Sequence, residues 1–445
     1  DVCSSDLVRG ATAFARVAGA LASAVGGGSG GLPCFDADRC WGVPFRRGQK
    51  GVRVKVAYLS LLPPPGQPAS SGVPKVSETL LRAFEELPDL QVEAVTLVDG
   101  LPQAQTERSG AVTRHYLPCK PHGKTATLYW NEVRRLRREV ARLQPDVVHG
   151  QPSAEYLLAA TGCGRPHVIT LHGLVQRETA GLARFHPATI AGLIRDRLHR
   201  RAARQAAHII SISSYVDEWL AGWTTARIWP VPNPIDPEFF TLPPPDRVGL
   251  RILCVGTVSE RKNQALLVRA CAQLAAAGAA FECRIVGQSS LGVAERLNGE
   301  ITALKLAGRV MLTGLVSRAE LLGHYAWANV VVLPSREETS PLSLIQGMAA
   351  GRVVMGANAG GIPQLLEQGR WGELFAAEDA TELVGQLAEL TGQPEKFWQR
   401  AGAAAAHARA TFEPGAVARG TVAVYRTVAG AAAGKIGCDT KFGTH

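Results

Sequence analysis

RILCVGTVSERKNQALLVRACAQLAAAG, residues 251–278, passes from an apolar strand through a polar loop opened by a glycine into a helix rich in alanine and leucine. Strand, loop and helix in that order make the unit of a parallel α/β sheet. Downstream the pattern continues with ECRIVG (282–287), RVMLTG (309–314), VVVLPS (330–335) and VVMGAN (353–358), with helices between them. Upstream, VRVKVAYLSLL (52–62) is a first strand and PPPGQPASSG a loop. VSETLLRAFEEL (76–87) then places Val76, Leu80, Leu81 and Phe84 on one helical face. QVEAVTLV, DVVHG, HVITLHG and HIISIS supply further strands, separated by basic helical stretches. Between the two series lies WPVPNPIDPEFFTLPPPDRVG (229–249), a Pro-rich connector in which helix is disfavoured. The reading is therefore two αβ domains, 52–235 and 236–413, with a terminal helix from about Pro414 to Val428 and a loose tail within 414–445.

Composition supports this. In 445 residues, hydrophobic side chains make up 46% and charged ones 19%, which excludes disorder for most of the chain. The nine cysteines are scattered with no C-x-x-C pair, so neither a disulfide framework nor a zinc site is indicated. No apolar run of about 20 residues is present. Residues 1–51, with GGGSGG at 26–31, read as a disordered or non-native extension, the native start falling near Val52 or Val54. The formal charge of +10 points to an anionic partner without choosing among nucleic acid, a phosphorylated ligand and a membrane surface.

Two stretches could carry chemistry. In GTVSERKN, Gly256 to Asn263, a glycine permits close backbone approach, the following helix offers free N–H groups to a phosphate, and Arg261 and Lys262 add positive charge. An ordinary strand-to-helix turn with solvated basic residues explains the same spacing. In PSREETSPLSLIQGMAAGRVVMGANAGG, Pro334 to Gly361, a polar loop carrying Glu337 and Glu338 precedes a helix that begins near Pro341. Glu338 and Gln346 could both face one ligand, and Gly360 and Gly361 allow backbone to approach a phosphate. Acidic residues complementing a helix N-terminus would explain the glutamates but not the glycines as well.

These segments resemble the donor domain of retaining nucleotide-sugar glycosyltransferases with the GT-B fold, family four, also called glycosyl transferases group one. SSGVPKVSETL, PDVVHG, VITLHG and SISSYV are similar to the acceptor domain, and VPNPID to the interdomain motif. The resemblance covers roughly Val52 to Val428. It implies two Rossmann-like domains with parallel sheets facing across a cleft, and a metal-independent transferase without a cofactor, whose donor is a UDP- or GDP-linked sugar. It implies that Lys262 contacts the donor diphosphate, that Glu338 hydrogen-bonds the sugar hydroxyls, and that Gly256, Thr257, Arg261, Gln346, Gly360 and Gly361 line the donor site. Gly72 would sit in an acceptor-side glycine loop and His172 near the reacting sugar. The chain departs from the family at Thr257, where an arginine is usual, at Gln346, where a glutamate is, and at Gln364, where an acid is.

The expected partners are a nucleotide sugar and a glycan, lipid-linked or small-molecule acceptor, in the cytoplasm. A sugar-nucleotide sensor and a nucleotide-sugar epimerase are the alternative functions; a dehydrogenase is disfavoured because no G-x-G-x-x-G follows either first strand. WNEVRRLRREVARLQ (130–144) and LIRDRLHRRAARQAAHI (193–209) are cationic amphipathic helices, either a solvated face or a contact for anionic lipid. No stacking aromatics are interleaved with their basic residues, which argues against nucleic acid. His149 reads as a packed imidazole.

Overall fold

The structure, a computed structural model, describes residues 53–67, 69, 72–120, 124, 127–173, 187–289 and 292–436. The expected extension over 1–51 lies outside them. The described residues divide into two units: Pro237–Ala410 forms one, and those from 53 to Asp236 join those from Thr411 to 436 in the other.

In the first unit the strands are β1 (Val54–Leu59), β2 (Leu90–Asp99), β3 (Gln105–Ser109), β4 (Val112–Cys119), β5 (Val147–Gly150), β6 (His167–Leu171), β7 (His208–Ser211) and β8 (Arg227–Pro230). Its helices are α1 (Gly72–Glu85), α2 (Trp130–Leu143), α3 (Ala154–Thr161), α4 (Pro187–Gln205) and α5 (Ser214–Leu220). The sheet order is β3-β4-β2-β1-β5-β6-β7-β8. All neighbours are parallel except β3, which runs antiparallel to β4. The expectation of a wholly parallel sheet is corrected at this edge. Every residue of β3 is exposed and its sequence is QTERS, so no apolar alternation marks it; a short polar strand also blunts the sheet's open edge. Its partner β4 carries two buried polar side chains, Arg114 paired with Glu78 and Glu85 and His115 with its Nε2 2.7 Å from Glu93 Oε2, so it too lacks a plain apolar signature.

The second unit contains β9 (Leu250–Val255), β10 (Phe281–Val286), β11 (Val310–Gly314), β12 (Val330–Leu333), β13 (Val353–Ala357) and β14 (Glu373–Phe375). Between them come α6 (Gln264–Ala276), α7 (Val293–Ala303), α8 (Arg318–Trp327), α9 (Leu342–Ala349) and α10 (Ile362–Leu365), followed by α11 (Ala380–Gly392) and α12 (Glu395–Phe412). The order β11-β10-β9-β12-β13-β14 is parallel throughout. Strands such as VVVL of β12 are buried along their whole length, as sheets covered on both faces require.

The last helix, α13 (Pro414–Ile436), runs past the expected end at Val428. Its Val417, Val422, Val424, Tyr425 and Val428 pack into the same core as Val56 and Tyr58 of β1 and Leu81 and Phe84 of α1. It closes the first unit although it follows the second in sequence. Among the described residues, no helix is long and apolar enough to cross a membrane.

Both sheets change direction beside their first strand, at β1/β5 and at β9/β12. In doubly wound sheets ligands bind beyond the carboxyl ends of the strands at these switch points.

Candidate functional site

At the second unit's switch point, the loop after β9 and the loop after β12 are stitched together. The Arg336 N–H donates to the Arg261 carbonyl at 2.9 Å, and the Arg336 guanidinium donates to the Glu260 carbonyl at 2.7 Å. The first loop is braced by Gln264, whose amide donates to the Thr257 carbonyl (3.1 Å) and accepts from the Ser259 N–H (3.3 Å). Asn263, left-handed at φ 53°, ties the loop's end to the Ala377 carbonyl at 2.9 Å. Lys262 and Arg261 are thus held directly ahead of α6.

Both cations converge on one carboxylate. Lys262 Nζ hydrogen-bonds Glu338 Oε1, and Arg261 Nη1 lies 3.6 Å from the same oxygen while donating to the Glu337 carbonyl at 2.8 Å. Glu338 is buried, 7% exposed. The arrangement carries two positive charges against one negative, which leaves a net positive site at the amino end of a helix. Such a site suits an anion.

The glycine pair serves this loop. Gly360 has φ +56°, and a Cβ there would fall 2.6 Å from the Glu338 carbonyl oxygen and 2.7 Å from its nitrogen; at Gly361 it would meet the Thr339 oxygen at 2.4 Å. The Gly361 N–H donates to the Glu338 carbonyl at 2.7 Å. The space that a side chain would need is filled by the backbone bearing Glu338, so the pair fixes that carboxylate by close backbone contact.

Gly256 precedes the exposed Thr257 at the mouth of the same loop. Gln346, on α9, is engaged elsewhere: the buried Tyr325 hydroxyl lies 2.9 Å from its Oε1 and 3.0 Å from the Ser343 carbonyl. Sequence reasoning passed over Tyr325, since nothing in its local pattern points to a residue 21 positions away.

Gly72 and His172 belong to the first unit. Gly72 opens α1 with φ +62°. His172 follows β6, and its Nε2 is 3.1 Å from Gln151 Oε1, which also accepts from Ser77 Oγ at 3.3 Å. Burial lowers the imidazole to about 4, with a hydrogen bond to Asn233 acting the other way, so His172 is neutral at pH 7. His149 is packed as expected: Nδ1 is 2.6 Å from the Tyr425 hydroxyl, Nε2 is 2.7 Å from Thr170 Oγ1, and burial takes it to about 3. His149, Gln151, Thr170, His172, Asn233 and Thr421 line a cavity of about 20 Å³, enough for about one water. Gln151 and Asn233 were not singled out from sequence; Asn233 sits inside VPNPID, and Gln151 directly follows PDVVHG.

Two family models match the chain, "Glycosyltransferase Family 4" over residues 70–239 and "Glycosyl transferases group 1" over 249–393. D-inositol 3-phosphate glycosyltransferase of Thermobifida fusca is 31% identical over 182 residues, 39% of this chain and 42% of that protein. Amylovoran biosynthesis glycosyltransferase AmsK of Erwinia amylovora is 32% identical over 165 residues, 35% and 40% of the two chains. The matched part spans about two-fifths of the length of these curated relatives. Among solved structures, sucrose-phosphate synthase from Thermosynechococcus elongatus aligns at TM-score 0.68 and 20% identity over 85% of this chain and all of that one. Anabaena HepE in complex with UDP and glucose aligns at 0.62 and 19%, over 84% of this chain and all of that one.

Proposed function

The chain belongs to glycosyltransferase family 4, with the GT-B fold, and from that premise we propose that it moves a sugar from a nucleotide diphosphosugar to a hydroxyl acceptor. The observation that carries the reading is the convergence of Lys262, Arg261 and Glu338 at the second sheet's switch point. Charge builds on the departing diphosphate as the glycosidic bond breaks. A lysine and an arginine can stabilise it, an electrostatic contribution that is commonly the largest single one in such catalysis. Glu338 accepts hydrogen bonds from the sugar hydroxyls and trades its contact with Lys262 for them when donor enters. HepE bound to UDP and glucose supports a nucleotide-sugar donor; here it is UDP- or GDP-linked.

The transfer retains anomeric configuration. Among the described residues of the site none stands out as a covalent nucleophile, which supports attack from the face the diphosphate leaves, with a phosphate oxygen of the leaving group taking the acceptor's proton. Proton NMR of the product decides this, since an inverted anomer removes the mechanism. A panel of nucleotide sugars, with consumption followed by mass spectrometry, tests the activity. A transferase consumes donor only with acceptor, an epimerase interconverts the sugar alone, and a sensor does neither.

The acceptor is a glycan, a lipid-linked sugar or a small molecule, and the enzyme works in the cytoplasm in peripheral contact with an anionic membrane. Leu128 and Trp130, 52% and 60% exposed at the start of α2, support that contact, with Arg134 lying 5.3 Å from the Trp130 ring. Apolar side chains beside basic ones suit a lipid headgroup layer. Arg135 and Arg137 are engaged instead with the Pro118 and Leu158 carbonyls. Replacing Arg134 and Arg138 with Gln should therefore reduce sedimentation with anionic vesicles, each charge being worth about 1 kcal/mol. Equal sedimentation of variant and wild type would favour a solvated face.

A further inference from the structure

If Glu338 turns to a donor sugar, Lys262 loses that contact and needs support from elsewhere. The backbone that carries the lysine is held on both sides of it. Ahead of Lys262, the Glu260 carbonyl accepts from Arg336 Nη1 at 2.7 Å and the Arg261 carbonyl accepts from the Arg336 N–H at 2.9 Å. Behind it, the buried Asn263 side chain donates to the Ala377 carbonyl at 2.9 Å. Ala377 and Glu378 are neighbours in the loop between β14 and α11. Glu378 closes the circuit, its carboxylate accepting from Arg336 Nε at 2.6 Å and from Arg336 Nη2 at 3.0 Å.

All three nitrogens of the Arg336 guanidinium therefore have acceptors. A carboxylate that takes two parallel N–H bonds fixes the plane of the guanidinium, and here the fixed plane aims Nη1 at Glu260. The bonds from Arg336 hold the Glu378 carboxyl below the usual carboxylate range, so it is charged at neutral pH. Arg336 is 40% exposed and Glu378 66%, so the pair adds little to stability as a mere ion pair. What its two-pronged geometry supplies is orientation.

We propose that Arg336 and Glu378 are a positioning pair, which sets Arg261 and Lys262 toward a bound anion by fixing the two carbonyls that precede Lys262. That the anion is a nucleotide diphosphate rests on the transferase reading; that the pair holds the loop does not. Simple electrostatics gives the opposite expectation for one variant. Glu378 is a negative charge on the loops that carry the site, so its neutralisation would tighten an anion if repulsion were its only effect. Positioning requires that Glu378→Gln weaken the anion instead, because the amide keeps one acceptor and frees the guanidinium plane.

Hydrogen exchange reads the loop without any ligand, at the Lys262 and Asn263 amides, which both donate to the Ser259 carbonyl. Exchange there should be at least about five-fold faster in Glu378→Gln and in Arg336→Lys, which keeps the charge but loses the fork. Both variants should keep urea midpoints near wild type. Calorimetry with UDP, GDP and inorganic pyrophosphate reads the site. Glu378→Gln should weaken each probe that wild type binds by about five-fold, the worth of roughly one hydrogen bond. In a Lys262→Ala background, titrated at correspondingly higher ligand concentration, that loss should vanish, because the pair acts through the lysine. A general structural defect would persist there and would overturn the proposal. Unchanged exchange in both variants, binding that is unaltered or tighter in Glu378→Gln, or a wild type that binds none of the three probes overturns it too. Faster exchange and weakened pyrophosphate in a chain that binds neither nucleotide keeps the positioning pair and loses the transferase.

Discussion

At the level of single residues, the contact between Lys262 and Glu338 changes what their substitution should do. Lys262→Ala removes a stabiliser of the leaving group, and a loss of about 10²–10³ in kcat is expected; near wild-type turnover in a folded variant would show that the diphosphate sits elsewhere. Glu338→Gln should raise KM for the donor while sparing free nucleotide diphosphate, because the amide keeps one acceptor and loses the charge that holds Lys262 and Arg261 back. Titration of both ligands separates the two outcomes, and an equal loss would contradict the sugar-binding role. Gln346 is subtler. The Tyr325 hydroxyl has one proton and two acceptors within 3.0 Å, the Ser343 carbonyl and Gln346 Oε1. The network closes fully if the amide is turned, so that its NH₂ donates to Tyr325, Tyr325 donates to Ser343, and the amide oxygen is left to accept from a ribose hydroxyl. In Gln346→Glu a carboxylate oxygen takes that place, and nucleotide diphosphate binding should tighten roughly five-fold, about 1 kcal/mol. The gain should vanish with a 2′,3′-dideoxy nucleotide; equal tightening for both nucleotides would end the ribose assignment. The lysine, the glutamate and the glycines were legible because each lies at the end of a strand whose apolar run is plain. Tyr325 was not, since only the folded sheet brings α8 and α9 together.

Secondary-structure elements show the same division. Strands such as VVVL and LRILCV declared themselves by their apolar runs, whereas β3 was hidden by an exposed, wholly polar sequence and β4 by Arg114 and His115, whose partners Glu78, Glu85 and Glu93 meet them only in the folded sheet. Helix α1 gives a further case. It carries no acidic residue in its first turn and has Lys75 there, an unfavourable charge against the helix dipole. Asp236 supplies the missing negative charge from far along the chain, 2.7 Å from Lys75 Nζ and accepting from Thr79 Oγ1 at 2.9 Å. The sequence marks VPNPID as a connector, but the helix whose Lys75 and Thr79 side chains its aspartate holds is set by the topology. Asp236→Ala should cost about 1.5–3 kcal/mol, the range for a hydrogen bond to a charged group, read as a shift in the urea midpoint. It should also loosen the Gly72 end of α1, seen as faster amide exchange there. A variant with wild-type stability and exchange would show that the pair is solvated and idle.

Across the whole chain, the first core is completed by its last helix, and His149 is where the two ends meet. Periodicity identifies α13 as a helix with an apolar face but does not say which sheet that face covers, so its place beside β1 and α1 was not readable from sequence. His149 of β5 is sealed between Tyr425 of α13 and Thr170 of β6, with the Tyr58 ring 5.2 Å away. Burial, together with nearby His172, holds its folded value near 3, against about 6.5 when the chain is unfolded. Between those values the unfolded chain binds more protons than the folded one, so stability should be at its full value above pH 6.5 and fall as the pH drops toward 3. The slope from one such histidine is at most about 1.4 kcal/mol per pH unit. Paired carboxylates add their own acid dependence, so the decisive quantity is the difference between proteins. Urea midpoints at pH 4.5, 5.5, 6.5 and 7.5 should show His149→Gln losing stability at neutral pH, where its bonds to Tyr425 and Thr170 are impaired, but declining less steeply on acidification than wild type. The two curves should approach one another near pH 4.5. Parallel curves would mean that His149 is protonated in the folded chain and that the contact with α13 is not the buried, neutral one its hydrogen bonds describe.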